Sequence, residues 1–315
     1  MELFQNILVG VELVQREEVV SPGSLKALEQ ALWIARHQGS RITLLHSTWQ
    51  SEVPESIARG AVLVHEGIPE TGRQVLQGLV ERCTTAGVGC ELVIVPERPP
   101  VAIIRAVMRD GIDLVLVGKR NQADGDIRKV GTVTIKLLRK CPCPVWAVKP
   151  DHDLGQKLVL AATDLSPVGR RSVRFGALVA RLGEGELHVV HAYQVPMELQ
   201  LAGSSMSETE YSRAIEEIRT AAQEHIEAGL EEVQDPPPVS VHVGRNAPSA
   251  AIREAIEHLS PDLLVMGTIS RTGIPGILVG NTAEKLLERV DCSLLTVKPE
   301  GFVSPVPLEA DGEER

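Results

Sequence analysis

The sequence predicts an α/β protein of two tandem doubly wound domains, and three observations carry that prediction. Short apolar runs alternate with stretches whose apolar residues recur every three or four positions, the pattern of a mostly parallel sheet with helices on both faces. The chain also repeats itself: Ile112-Asp113-Leu114-Val115-Leu116-Val117-Gly118 is answered 149 residues later by Pro261-Asp262-Leu263-Leu264-Val265-Met266-Gly267. Finally, Gly131-Thr132 falls where Gly280-Asn281 falls, and Cys143 to Pro150 is answered by Cys292 to Pro299. The duplication divides the 315 residues into domains 1–150 and 151–300, followed by an acidic tail, 301–315.

Each element has its local reason. Ile7 to Val11 is a short apolar strand ending at Glu12, and a helix starts near Ser21 with Leu25, Leu28, Leu32 and Ala35 on one face. Arg41 to His46 returns as a strand, Val75 to Cys83 marks a second helix, and Glu91 to Val95 a third strand. Pro99-Pro100 opens a helix, since proline is tolerated in a first turn. Leu114 to Val117, Thr132 to Leu138 and Val145 to Val148 complete the first domain as strand, helix and strand. After a polar linker near Asp151, the second domain repeats the order: strand Leu158 to Thr163, helix Ser172 to Leu182, strand Leu187 to His191, strand Val239 to Val243 and a helix around Ala250 to Leu259. Between its second and third strands, Glu208 to Val233 reads as an amphipathic helix with an acidic outer face.

Composition excludes several classes. Hydrophobic residues at 43% and charged residues at 23% are ordinary for a globular protein. A formal charge of −10 disfavours nucleic acid, which needs a basic face to release counterions. No apolar run approaches the ~20 residues of a membrane span, and no leader pattern opens the chain, so a cytoplasmic location is expected. The five cysteines, Cys83, Cys90, Cys141, Cys143 and Cys292, form no disulfide framework and too few ligands for a closed zinc site.

The chemistry-bearing stretch runs from Leu263 to Glu284: four apolar residues into Gly267, a loop with glycines at 273, 276 and 280, then a helix-forming run opening at Asn281. A helix entered this way has unpaired first N–H groups and a positive dipole end, suited to an anion such as phosphate. The same glycines also serve simply to turn a strand into a helix. Ligands of such sheets bind outside the carboxyl ends of the strands where the winding reverses, so Asp164 and Gly267 would flank the crevice. Asp164-Leu165-Ser166-Pro167 is equally good turn sequence, and both roles stay open. His46 and His191 occupy matching places late in the second strands, where a satisfied core histidine competes with a metal ligand. No Gly-Lys-Ser/Thr follows either strand, and no nucleophile, base or paired carboxylates can be placed, so no catalytic residue is assigned.

Together these residues resemble the universal stress protein family, whose nucleotide-binding members carry Gly-x2-Gly-x9-Gly-Ser/Thr after the fourth strand and an aspartate after the first. The resemblance covers both domains, from about Gln5 to Pro299, and the tandem layout is similar to the E-type members. It implies five-stranded parallel sheets in the order 3-2-1-4-5. Carried over by position, the second domain offers Asp164, Ala192 against the base, Gly267, Ser270 for the second glycine, Gly280, Asn281 for Ser/Thr, and Thr282. The first domain offers Glu12 for the aspartate, Gly118, Asn121 for the second glycine, Gly131 and Thr132, a less complete set. The cofactor implied is ATP or ADP, with magnesium as an optional companion of the phosphates, and the function implied is regulatory, in the stress response. The two domains would imitate the dimer of single-domain relatives, pairing Val145–Val148 with Leu294–Val297, while a homodimer of the whole chain stays compatible. Ser270, Asn281 and Glu12 also motivate a second reading, a module for a non-nucleotide ligand or a protein partner. Slow ATP hydrolysis is a third, without a nameable base.

Overall fold

The computed structural model describes residues 4–14, 18–49, 68–119, 131–151, 153–192, 206–231, 233–244, 247–268, 286 and 290–308. It divides into two compact units meeting at Pro150 and Asp151, and the residues from Val303 group with the first.

The first unit contains β1 (Asn6–Val11), β2 (Leu13–Val14), β3 (Val19–Val20), α1 (Pro22–Gln38), β4 (Arg41–Ser47), α2 (Glu70–Thr85), β5 (Cys90–Val95), α3 (Pro99–Asp110), β6 (Leu114–Gly118), α4 (Thr132–Lys140) and β7 (Val145–Val148). Its sheet runs β5-β4-β1-β6-β7, every neighbour parallel. The second unit contains β8 (Leu158–Thr163), α5 (Pro167–Leu182), β9 (Glu186–Ala192), α6 (Glu208–Leu230), β10 (Val239–Gly244), α7 (Pro248–Leu259), β11 (Leu263–Gly267) and β12 (Ser293–Val297). Its sheet repeats the plan as β10-β9-β8-β11-β12, again all parallel. Both units have the 3-2-1-4-5 order, with the winding reversing between the first and fourth strands.

The central strands are buried on both faces, which is why they read as continuous apolar runs: Ile7, Leu8 and Val9, Leu114 to Leu116, and Leu263 to Val265 are fully buried. Three departures from the sequence reading have local causes. The loop after β1 carries a small antiparallel ribbon, Leu13 opposite Val20 and Val14 opposite Val19. Two-residue strands give almost no periodicity to detect. Helix α5 starts five residues before Ser172, because Ser166 caps it, accepting from Gly169 N, and Pro167 supplies the first-turn φ. The described residues 149–151 and 153–157 carry no helix or strand, and the segment beyond Val303 is tied back to the first unit: Arg105 Nε donates to Pro307 O at 2.9 Å.

Each unit is locked at the amino end of the crossover by one aspartate. Asp113 accepts from Gln5 N at 2.7 Å and from Asn6 N at 3.2 Å, and Asp262 accepts from Lys157 N and Leu158 N at 2.9 Å each. The aspartate before the fourth strand therefore fixes where the first strand enters beside it. Burial pushes the Asp113 carboxyl above its ordinary range, against the N–H bonds that pull it down. Asp113→Ala or Asp262→Ala strands these donors, and each is expected to destabilise its own unit by about 1–3 kcal/mol. Differential scanning calorimetry checks this as a lowered transition for the altered unit.

Candidate functional site

The register assembles the crevice of the second unit. Met266 pairs with Ala162, so Gly267 comes beside Thr163, and Thr163 pairs with His191, so Asp164 comes beside Ala192. Asp164, Ala192 and Gly267 thus converge at the carboxyl ends of β8, β9 and β11, where the strand order reverses. Ser270, Gly280, Asn281 and Thr282 lie outside the described residues.

Asp164 turns the chain at this convergence. Its Oδ1 accepts from Ser166 N at 3.0 Å and, by a short bond, from the Ser166 hydroxyl. Leu165, at φ 62, takes the left-handed conformation that lets three residues join β8 to α5. Helix α5 consequently begins hard against the carboxylate: a Cβ on Gly169 would stand 2.7 Å from Asp164 Oδ1 and 2.6 Å from Thr163 Oγ1. The turn role of Asp164 is therefore realised, through Oδ1.

Histidine 191 supports the same corner from β9. It is buried, and its Nδ1 lies 2.9 Å from Thr163 O, so the ring donates to the carbonyl just before Asp164. His46 repeats the device in the first unit, with Nδ1 at 3.0 Å from Val11 O, and its buried Nε2 has no partner. At the mouth of β12, Lys298 is 1% exposed, donates to Thr268 Oγ1 at 2.5 Å and lies over the Phe302 ring. Neither Ser166, Gly169 nor Thr268 was singled out from sequence, although Ser-Pro at 166–167, repeated at 21–22, was a visible cap signal.

In the first unit the register sets Glu12, just past β1, near Gly118 at the end of β6, and Gly131 and Thr132 open α4, while Asn121 lies outside the described residues. Glu12 follows the last residue of β1 and is exposed; its N–H is bonded to Ser24 Oγ at 2.9 Å and its carbonyl accepts from Ser21 N. Gly131 is the N-cap of α4, which has neither a side-chain cap nor an acidic residue in its first turn. Thr134 Oγ1 reaches back to Gly118 O at 3.4 Å, fastening the start of α4 to the end of β6. Lys119 is buried beside it, its N–H on Val148 O at 2.8 Å.

The two fourth-strand glycines differ in what they admit. A Cβ at Gly118 would stand 2.3 Å from the Gly23 carbonyl carbon and 2.5 Å from its Cα, so two backbones touch there. At Gly267 the nearest atom would be a Val168 methyl at 3.0 Å. The helix that follows the first strand thus excludes a side chain at Gly118 and leaves little room for one at Gly267.

The universal stress protein family model matches residues 3–149 and again 156–298. The chain belongs to the universal stress protein family. Its tandem arrangement is that of the E-type relatives: it is 28% identical to universal stress protein E of Escherichia coli strain K12 over all of both chains. It is 25% identical to universal stress protein E of Photorhabdus laumondii over 97% of this chain and 98% of that one. Among solved structures it resembles a functionally unknown protein from Pseudomonas aeruginosa PAO1, with a TM-score of 0.66, 24% identity, and coverage of 95% of this chain and 94% of that chain. A universal stress protein from Archaeoglobus fulgidus has the same fold, with a TM-score of 0.62, 21% identity, and coverage of 93% and 98%. Among the described residues no helix is long and apolar enough to cross a membrane, and no group of three or more His, Cys, Asp or Glu side chains could hold a metal.

The contrast between the glycines gives a prediction. Gly118→Ala forces backbone apart and is expected to lose about 1–3 kcal/mol or more of first-unit stability, whereas Gly267→Ala meets only a movable methyl and loses less. Denaturant unfolding of the two variants, followed by circular dichroism, measures the difference.

Proposed function

We propose that the second unit binds an adenine nucleotide, ATP or ADP, and that this binding serves a regulatory role in the stress response. The observation that carries the reading is the meeting of Asp164, Ala192 and Gly267 at the winding reversal, the position where open parallel sheets hold ligands. In this reading Asp164 accepts hydroxyl hydrogens of the ribose, Ala192 lies against the base, and the loop through Ser270 to Gly280, Asn281 and Thr282 carries the phosphates on its N–H groups. Helices α3, α4 and α7 have neither a side-chain cap nor an acidic residue in the first turn, which leaves their positive ends uncompensated toward an anion. Glu12, Gly118, Asn121, Gly131 and Thr132 form the corresponding, secondary site of the first unit. Magnesium would accompany the phosphates rather than be held by a protein cluster.

Nucleotide occupancy biases the protein only through a difference in affinity between its states, so the regulatory step is a population shift. A cytoplasmic location and edge-to-edge pairing of the fifth strands within the chain belong to the same proposal, the latter because bare apolar edges invite aggregation.

A second reading has its own observation. Ser166 already holds Asp164 Oδ1, and Ser270 and Asn281 replace family residues in the loop, which would suit a small ligand without phosphates or a protein partner.

Titration calorimetry of ATP against the full chain separates the two. Binding that weakens about 10- to 150-fold in Asp164→Ala, the loss expected for hydrogen bonds to a charged group, and that Gly280→Arg abolishes, supports the nucleotide. Thermal melts of both variants control for the turn that Asp164 also holds. No heat with ATP or ADP, together with a non-nucleotide molecule released on denaturing the purified protein, overturns it in favour of the second reading.

A further inference from the structure

Away from the crevice, β9 and β10 place two histidines on one face of the second sheet. Ser240 pairs with His188 and His242 with Val190, so His242 sits diagonally across the strand boundary from His188. Their rings are parallel to within 9°, with centroids 5.1 Å apart and His188 Nδ1 only 2.8 Å from His242 Nε2. At that centroid distance such a short nitrogen separation means the imidazoles meet edge to edge in nearly one plane, sharing a hydrogen between two lone pairs. The other nitrogen of His188, Nε2, lies 3.4 Å from Glu186 Oε1. A carboxylate behind the outer N–H of an imidazole fixes the tautomer that turns the inner lone pair forward.

We propose that His188 and His242 form a chelating site for one late divalent transition-metal ion that favours right-angled coordination, nickel(II) or copper(II), with Glu186 as its outer support. A right-angled ion asks the smaller rearrangement of the two rings. Two nitrogens bound at about 2.0–2.1 Å stand about 2.8–3.0 Å apart when their bonds to the metal make a right angle, and about 3.3–3.4 Å apart in a tetrahedral site. The observed 2.8 Å is that of the hydrogen bond between the rings, and it leaves both nitrogens close enough to reach one ion at a right angle once the rings turn, without moving the strands. The metal replaces the shared hydrogen as both rings pivot their lone pairs off the line between them, and His242 has room to do so because it is exposed on the edge strand β10. Water fills the remaining positions, since no third protein ligand stands close among the described residues.

The duplication supplies an internal comparison. Cys90 pairs with Ile42 as Val239 pairs with Leu187, so the counterparts of His188 and His242 in the first unit are Thr43 and Val93, neither of which is an imidazole. The site therefore belongs to the second unit alone.

Calorimetric titration of tag-free, full-length protein with nickel chloride at pH 7.5, with zinc chloride in parallel, tests this. The expected result is saturable nickel binding that weakens at least about tenfold in H188Q and in H242Q, and less than that with zinc. Glu186→Gln is expected to weaken nickel without abolishing it, and the paramagnetic ion should broaden the His188 and His242 imidazole resonances before those of other histidines. Nickel binding that survives both histidine variants, zinc binding tighter than nickel, or no saturable heat overturns the proposal.

Discussion

The seating of the first helix of each unit on the end of its fourth strand is the constraint on which the crevice depends. In the first unit the contact is backbone on backbone, Gly23 against Gly118. In the second, the same helix approaches through Val168 over Gly267 and through Gly169 over Asp164. These contacts set the depth of the opening between the first and fourth strands. They also set the direction in which the first turn of each helix points its unpaired N–H groups. At the far end of the same strands, Asp113 and Asp262 fix the register by accepting from the backbone of the neighbouring first strand. The crossover is thus held at both ends, by close packing above and by carboxylate hydrogen bonds below.

The parts of this arrangement that follow from local chemistry were legible in the sequence. Doubly buried strands had to be continuous apolar runs, and the duplication made the second copy check the first. The 3-2-1-4-5 order came through the family resemblance, because alternation of strands and helices leaves strand order open. What stayed hidden required knowing which residues become neighbours. Asp113 lies 107 residues from Asn6, and the partnership exists only once β6 lies beside β1. His188 and His242 are 54 residues apart and acquire a common face only from the β9–β10 register. The ribbon of β2 and β3 was invisible for the opposite reason, being too short to show a period. Of the candidate site, Asp164, Ala192, Gly267, Glu12, Gly118, Gly131 and Thr132 could be followed into the fold, and the glycine loops between them lie outside the described residues.

The dual character of Asp164 illustrates why sequence reading left its role open. A residue after a first strand must turn the chain, and Asp164 does so through its carboxylate. Ser166 engages Oδ1 from its backbone and hydroxyl, which orients the carboxylate as well as occupying part of it. An oriented carboxylate loses less entropy on accepting further hydrogen bonds than a free one, so the turn would favour the binding role proposed for Asp164.

The two units show how one scaffold separates such roles after duplication. Three residues, Asp164 to Ser166, join β8 to α5, whereas the link from β1 to α1 runs from Glu12 to Ser21 and includes a ribbon. The short link presses the acidic residue against the helix, as the Gly169 contact with Asp164 shows, while the long one leaves Glu12 exposed, held only through its backbone by Ser24 and Ser21. Yet the histidine behind each corner is kept: His191 and His46 donate to the last carbonyl of the first strand in both units. The histidine contact is common to both units and the link is not, so the two corners differ in the length of chain between first strand and first helix.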